Sequence, residues 1–214
     1  MSPPVGGVTA MLIHPFHSKA RGFTLIELML VVALVGIIAL LAGPSIMGLY
    51  RRMGLSATGR QLYSAFVTAQ GLATASGHKH CLELTRGANS QWLIREDSDG
   101  SGQCDNTDRI VKTFPVAGDR LPTGIGLGPQ AGIAGSFDAP YDSVPHNAWC
   151  TPCGAGNTTG SIMFDIDGRI IDGNDAPYDG AVMLNDTSAT SAHRAFAVVF
   201  IGATGNIRML DRPE

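Results

Sequence analysis

The chain has 214 residues, of which 44% are hydrophobic and 15% charged, with a formal net charge of −3. So mild a charge gives no sign of a polyanion-binding protein. The four cysteines, an even number, fit an oxidising compartment outside the cytoplasm.

Residues 1–22 hold one short apolar patch, Ala10-Met11-Leu12-Ile13, broken by His14, Pro15 and His17 and far below spanning length. Lys19 and Arg21 then lead into Gly22, and from Phe23 to Tyr50 the sequence is apolar or small except for Glu27. Because a hydrocarbon core of ~30 Å needs about 20 apolar residues, the segment 23–50 is expected to span a bilayer as a helix. A carboxylate inside hydrocarbon costs roughly 3 kcal/mol and calls for a partner, so Glu27 stands out. Pro44, beside Gly43, removes a backbone bond and is expected to bend or locally melt the helix. Arg51 and Arg52 mark the exit from the membrane, but Lys19 and Arg21 stand on the other side, so the charge rule does not fix the orientation.

An amphipathic helix is expected over 51–77, because Leu55, Leu62, Phe66, Ala69 and Ala73 form one stripe with Arg60, Gln61 and Gln70 between them. Ser76-Gly77 stops it. A helix from Phe23 to that stop is roughly 80 Å long at 1.5 Å per residue.

Beyond Gly77 the period falls to two. Segments 79–86 and 91–96 read as a hairpin around Gly87-Ala88-Asn89-Ser90, and 109–116 as a third strand. Residues 117–160 are rich in glycine and proline without a sustained period and read as a long loop region. Strand signals return at 161–166 and 169–172, and the pair 194–201 and 206–210 reads as a hairpin around Gly202-Ala203-Thr204-Gly205.

Several motifs carry potential chemistry. Asp97, Asp99, Ser101, Gly102, Asp105 and Asp108 fall at positions one, three, five, six, nine and twelve of a calcium loop, although Asp108 replaces the usual bidentate glutamate and no helices flank it. A solvated polar turn is the competing reading. His78 and His80 share a strand face, where two ligands make no zinc site and a solvated edge is expected. Cys150-Thr151-Pro152-Cys153 has the spacing of a redox pair, but the prolines and glycines around it and the absence of a following helical pattern favour a structural staple over thiol catalysis or metal binding. Cys81 and Cys104 lie near the two ends of the first hairpin and are expected to bridge, among three connectivities that four cysteines allow. No Ser/His/Asp signature, phosphate loop or carboxylate pair stands in a recognisable setting, so no enzyme is expected.

The run Arg21-Gly22-Phe23-Thr24-Leu25-Ile26-Glu27 resembles the class III signal of type IV prepilins and type II secretion pseudopilins. That resemblance implies removal of the leader 1–22 by a prepilin peptidase, with cleavage between Gly22 and Phe23 and N-methylation of Phe23. It also implies that Glu27 pairs with the Phe23 amine of a neighbouring subunit during assembly, and Pro44 falls where pilin helices carry a proline. Together with the Phe-Asp-Ile-Asp-Gly-Arg turn at Phe164 to Arg169 and the closing strand-Thr-Gly-strand hairpin, the chain is similar to the GspH/FimT group of minor pilins and pseudopilins. It departs from that group in having Ala69-Gln70 where an alanine-arginine pair is common, and in the length of 117–160.

The group implies an α+β, pilin-like fold: a long N-terminal helix, its first half in the membrane, packed on an antiparallel β head over 78–214. It implies a structural subunit in the bacterial inner membrane with a periplasmic head, whose partners are other pilins or pseudopilins and an inner-membrane assembly platform. No cofactor is implied apart from the calcium reading. Some relatives on the FimT side bind DNA through arginines of the C-terminal strand. Here Arg208 and Arg212 are the candidates, with Asn206 in place of a second arginine and Asp211 and Glu214 opposing them, so nucleic acid is not expected as a partner.

Overall fold

The computed structural model describes residues 23–87, 90–114, 121, 124–128, 149–150, 153, 157–186 and 195–212, without the side chains of 41–48, 51–52, 186, 195 and 211–212. The fold is α+β. Among the described residues one long helix, α1 (Leu25–Ser76), precedes nine strands: β1 (His80–Thr85), β2 (Gln91–Glu96), β3 (Arg109–Phe114), β4 (Ile125–Leu127), β5 (Thr159–Phe164), β6 (Ile170–Ile171), β7 (Gly180–Asp186), β8 (Ala195–Ile201) and β9 (Asn206–Arg212). The chain divides into two compact units, Met1–Ser45 and Ile46–Glu214, with the division inside α1.

In the first unit the helical residues 25–40 are apolar apart from Glu27, and all are exposed. In the second, α1 buries Leu55, Thr58, Leu62, Ala65, Phe66, Ala69 and Ala73. Those positions recur every three or four residues and so form one stripe of the helix, as the sequence pattern predicts. The helix ends at Gly77, whose φ of 70° is the left-handed conformation that glycine adopts freely, and whose N–H still reaches the Ala73 carbonyl.

The strands form two antiparallel sheets, one ordered β3-β2-β1-β5-β6 and the other β4-β7-β8-β9. The expected first hairpin is present with Thr85 opposite Gln91, and the expected closing hairpin with Ile201 opposite Asn206. Phe66 of the helix stripe joins the sheets. Its ring lies 6.2 Å from that of Phe164 on β5 and 5.8 Å from that of Phe200 on β8. Trp92, Trp149, Leu62, Leu82 and Ile162 complete the centre of this core, all fully buried.

Two strands depart from the sequence pattern. β4 lies within 117–160, where glycine and proline predict loop throughout. β7 has no period-two signal because Ala181-Val182-Met183-Leu184 is an unbroken apolar run: Val182 and Leu184 enter the main core, while Ala181 and Met183 pack with Ala197 and Val199 on the opposite face. A strand buried on both faces has no alternation to detect.

Candidate functional site

The N-terminal signal is built around the start of α1. Thr24 sits just before the first helical residue, and its backbone N–H and hydroxyl each donate to Glu27 Oε2 at 3.0 Å. The Glu27 N–H donates in return to Thr24 Oγ1 at 3.3 Å. This is a reciprocal capping box, in which two otherwise unsatisfied amides of the first turn find partners. Its sequence signal is Thr-x-x-Glu, which the signal-peptide reading of the same residues overshadows.

Phe23 is exposed, whereas Gly22 and the rest of the leader lie outside the described residues. The helix runs through Pro44 without a break, and the side chain of Pro44 also lies outside the described residues. Among the described residues no helix is long and apolar enough to cross a membrane, and the expected span over 23–50 includes the undescribed side chains of 41–48.

A second candidate is the acidic turn between β2 and β3. It brings together three of the five predicted oxygen ligands: Asp97, Asp99 and Asp108 each place a carboxylate oxygen within 4.8 Å of the others. Asp105 and Ser101 are engaged locally instead. Asp105 Oδ1 accepts from the Thr107 N–H at 2.7 Å and from its hydroxyl, which holds the carboxyl below its ordinary value. The Ser101 hydroxyl accepts from the Gln103 N–H and donates to the Gln103 carbonyl, both at 3.3 Å.

Backbone amides shape the three that converge. Asp97 Oδ2 accepts from Gly102 N–H at 2.9 Å, Asp99 Oδ1 from Ser101 N–H at 2.9 Å, and Asp108 from Ser98 N–H at 3.3 Å and Asp105 N–H at 3.0 Å. The Ser101 amide is the main cause that lowers the Asp99 carboxyl below its ordinary value. Asp97 and Asp108 are buried and Asp99 is exposed.

The cysteines pair as Cys81–Cys104 and Cys150–Cys153. The first ties the acidic turn to β1. The second packs on Gly160 of β5 so closely that a Cβ there would sit 1.8 Å from Cys153 Sγ. Cys150 and Cys153 are both buried, whereas a thiol exchanging with a substrate needs access. Trp149, next to them, donates its indole N–H to the Asn157 carbonyl at 2.9 Å.

The histidine expectation needs correction. His80 is buried, with Nδ1 3.0 Å from the His78 carbonyl, because β1 is a central strand flanked by β2 and β5 rather than a solvated edge. Arg208 is exposed on β9, an edge strand of its sheet, and the Arg212 side chain lies outside the described residues.

Gln70 carries a role that the sequence pattern does not signal. Its amide Nε2 donates to the carbonyls of Gly168 and Gly205, each at 2.7 Å, and so fastens the β5–β6 and β8–β9 turns to the helix. Neither turn is near Gln70 in sequence, so nothing local betrays it.

The family model described as the prokaryotic N-terminal methylation motif matches residues 17–43. That stretch contains the Gly22-Phe23 junction, the Thr24–Glu27 capping box and the first part of the exposed apolar helix. The motif marks a type IV pilin-like or pseudopilin-like protein, which implies processing by a prepilin peptidase and assembly with other pilins. Comparison with curated proteins and with solved structures gives no match.

Proposed function

We propose that this protein is a minor pilin or pseudopilin of the GspH/FimT kind, a structural subunit that acts by assembly rather than by catalysis. The observation that carries the reading is the methylation motif at residues 17–43, set on a helix whose exposed apolar residues give way to the spine of a two-sheet head. Apolar side chains in such number, exposed along one helix, need either lipid or other helices around them. The segment 23–50 anchors the chain in the inner membrane with the head in the periplasm, and the same segment packs into a short filament, in an initiating or tip complex above an assembly platform. The paired cysteines support the periplasmic side.

Intact mass spectrometry of the protein taken from its native membrane tests the reading. The expected chain begins at Phe23 with one added methyl group. A mature chain that retains residues 1–22 overturns it.

A further inference from the structure

We propose that the turn between β2 and β3 is a calcium site, with Asp97, Asp99 and Asp108 as its carboxylate ligands. Oxygen ligands sit 2.3–2.6 Å from calcium, so two of them around one ion are no more than about 5 Å apart. The three carboxylates meet that limit as they stand, each within 4.8 Å of the others. Among the described residues no basic side chain neutralises them. The two flanking arginines, Arg95 and Arg109, are paired with Glu83 and Glu96, and Lys79, whose ammonium lies beside Gly102 of the turn, is paired with Asp175.

A second observation points to a ligand independently of the clustering. Asp97 is only 5% exposed, and its Oδ1 is buried without a hydrogen-bond partner. Gly102 N–H satisfies the other oxygen alone. A carboxylate oxygen withdrawn from water without a donor is costly, and the groups that the Asp97 carboxylate faces, Asp99 and Asp108, are acceptors too. A cation between the three supplies the partner that Asp97 Oδ1 lacks. Asp99, the exposed member, gives the ion its way in from solvent.

The chemistry selects the ion class. All the candidate donors are oxygens, which suits a hard cation. The scaffold holds them from behind: Cys104 is bridged to Cys81 on β1, and the Arg95 guanidinium donates to the Asp108 carbonyl at 3.1 Å. With three carboxylates and no bidentate glutamate, the dissociation constant is expected on the order of 10⁻⁴ to 10⁻³ M.

The test is a titration of calcium chloride into the detergent-solubilised full-length protein, read by calorimetry and by thermal melting. One ion per chain is expected, with a rise of about 3–6 °C in melting temperature at ten times the dissociation constant. Asp99→Asn, at an exposed position, should weaken binding at least about tenfold, because it removes a charged ligand. Asp167→Asn, in the β5–β6 turn, should leave it unchanged. Magnesium, which demands tighter octahedral geometry, should bind at least about tenfold more weakly, and parity between the two ions would overturn the assignment to calcium. Identical melts in calcium and in chelator would overturn the site altogether. So would equal weakening by the two asparagine variants, which marks diffuse association with acidic surface.

Discussion

Single residues do two kinds of work in the head: some fill the core, and a few polar ones tie distant segments together. Gln70 belongs to the second kind. Its two hydrogen bonds, to Gly168 and Gly205, satisfy carbonyls of turns almost a hundred or more residues away. Gln70→Ala leaves both carbonyls without their donor, at a cost of about 2 kcal/mol, which corresponds to a fall of roughly 4–8 °C in melting temperature for a chain of this size. Gln70→Glu should do at least as much harm, because it sets a carboxylate against two acceptors. A Gln70→Ala melt within about 1 °C of wild type would show that water replaces the amide without loss. Residues of this kind are the least legible in the sequence. The apolar stripe from Leu55 to Ala73 announces itself by spacing, while a glutamine among the polar positions of the same helix looks like any solvated side chain. In the acidic turn the spacing names five oxygen donors, but it has no means of showing that Thr107 engages Asp105 or that Gln103 engages Ser101.

At the scale of elements, the two sheets are held in place by close backbone approaches. Gly205, with φ 64°, lies in the β8–β9 turn, and a Cβ on it would come within 2.3 Å of the Gly168 carbonyl oxygen. Gly77 has a similar φ of 70° at the end of α1, yet a Cβ there meets nothing within 4 Å. The pair separates two costs. Gly77→Ala is expected to lose only the left-handed penalty of about 1–2 kcal/mol. Gly205→Ala must add the separation of the two turns and the displacement of the Gln70 amide, so its loss should exceed that of Gly77→Ala by at least about 2 kcal/mol in urea unfolding of the full-length protein. Equal losses would mean that the β5–β6 turn moves aside freely. The closing hairpin is legible because the turn residues Gly202 to Gly205 join two strand-forming runs, although β8 is apolar throughout and shows no alternation. β4 escapes notice because three residues, Ile125-Gly126-Leu127, are too few to show a period, and β7 because its unbroken apolar run shows no period and, unlike that of β8, is not followed by a glycine turn.

On the scale of the whole molecule, the question is what Glu27 contributes beyond its own helix. Within the chain its carboxylate closes the capping box with Thr24, and loss of such a cap costs about 0.5–2 kcal/mol of the first turn. In the proposed filament its charge, alone in an apolar stretch, would be matched by the amine of a neighbouring Phe23. The two roles part under substitution. Glutamine at a capping-box position can still receive the Thr24 N–H, so Glu27→Gln keeps the cap and removes the charge. Thr24→Ala keeps the charge and removes the hydroxyl half of the cap. If the charge serves assembly, Glu27→Gln should enter the membrane normally, since it spares the cost of a buried carboxylate, and should fail to join filaments or minor-subunit complexes. Thr24→Ala should join them. Cross-linking of membrane fractions, with each variant expressed at wild-type level, reads both outcomes. Normal incorporation of Glu27→Gln would leave the capping box as the whole purpose of this residue and remove the ion pair from assembly.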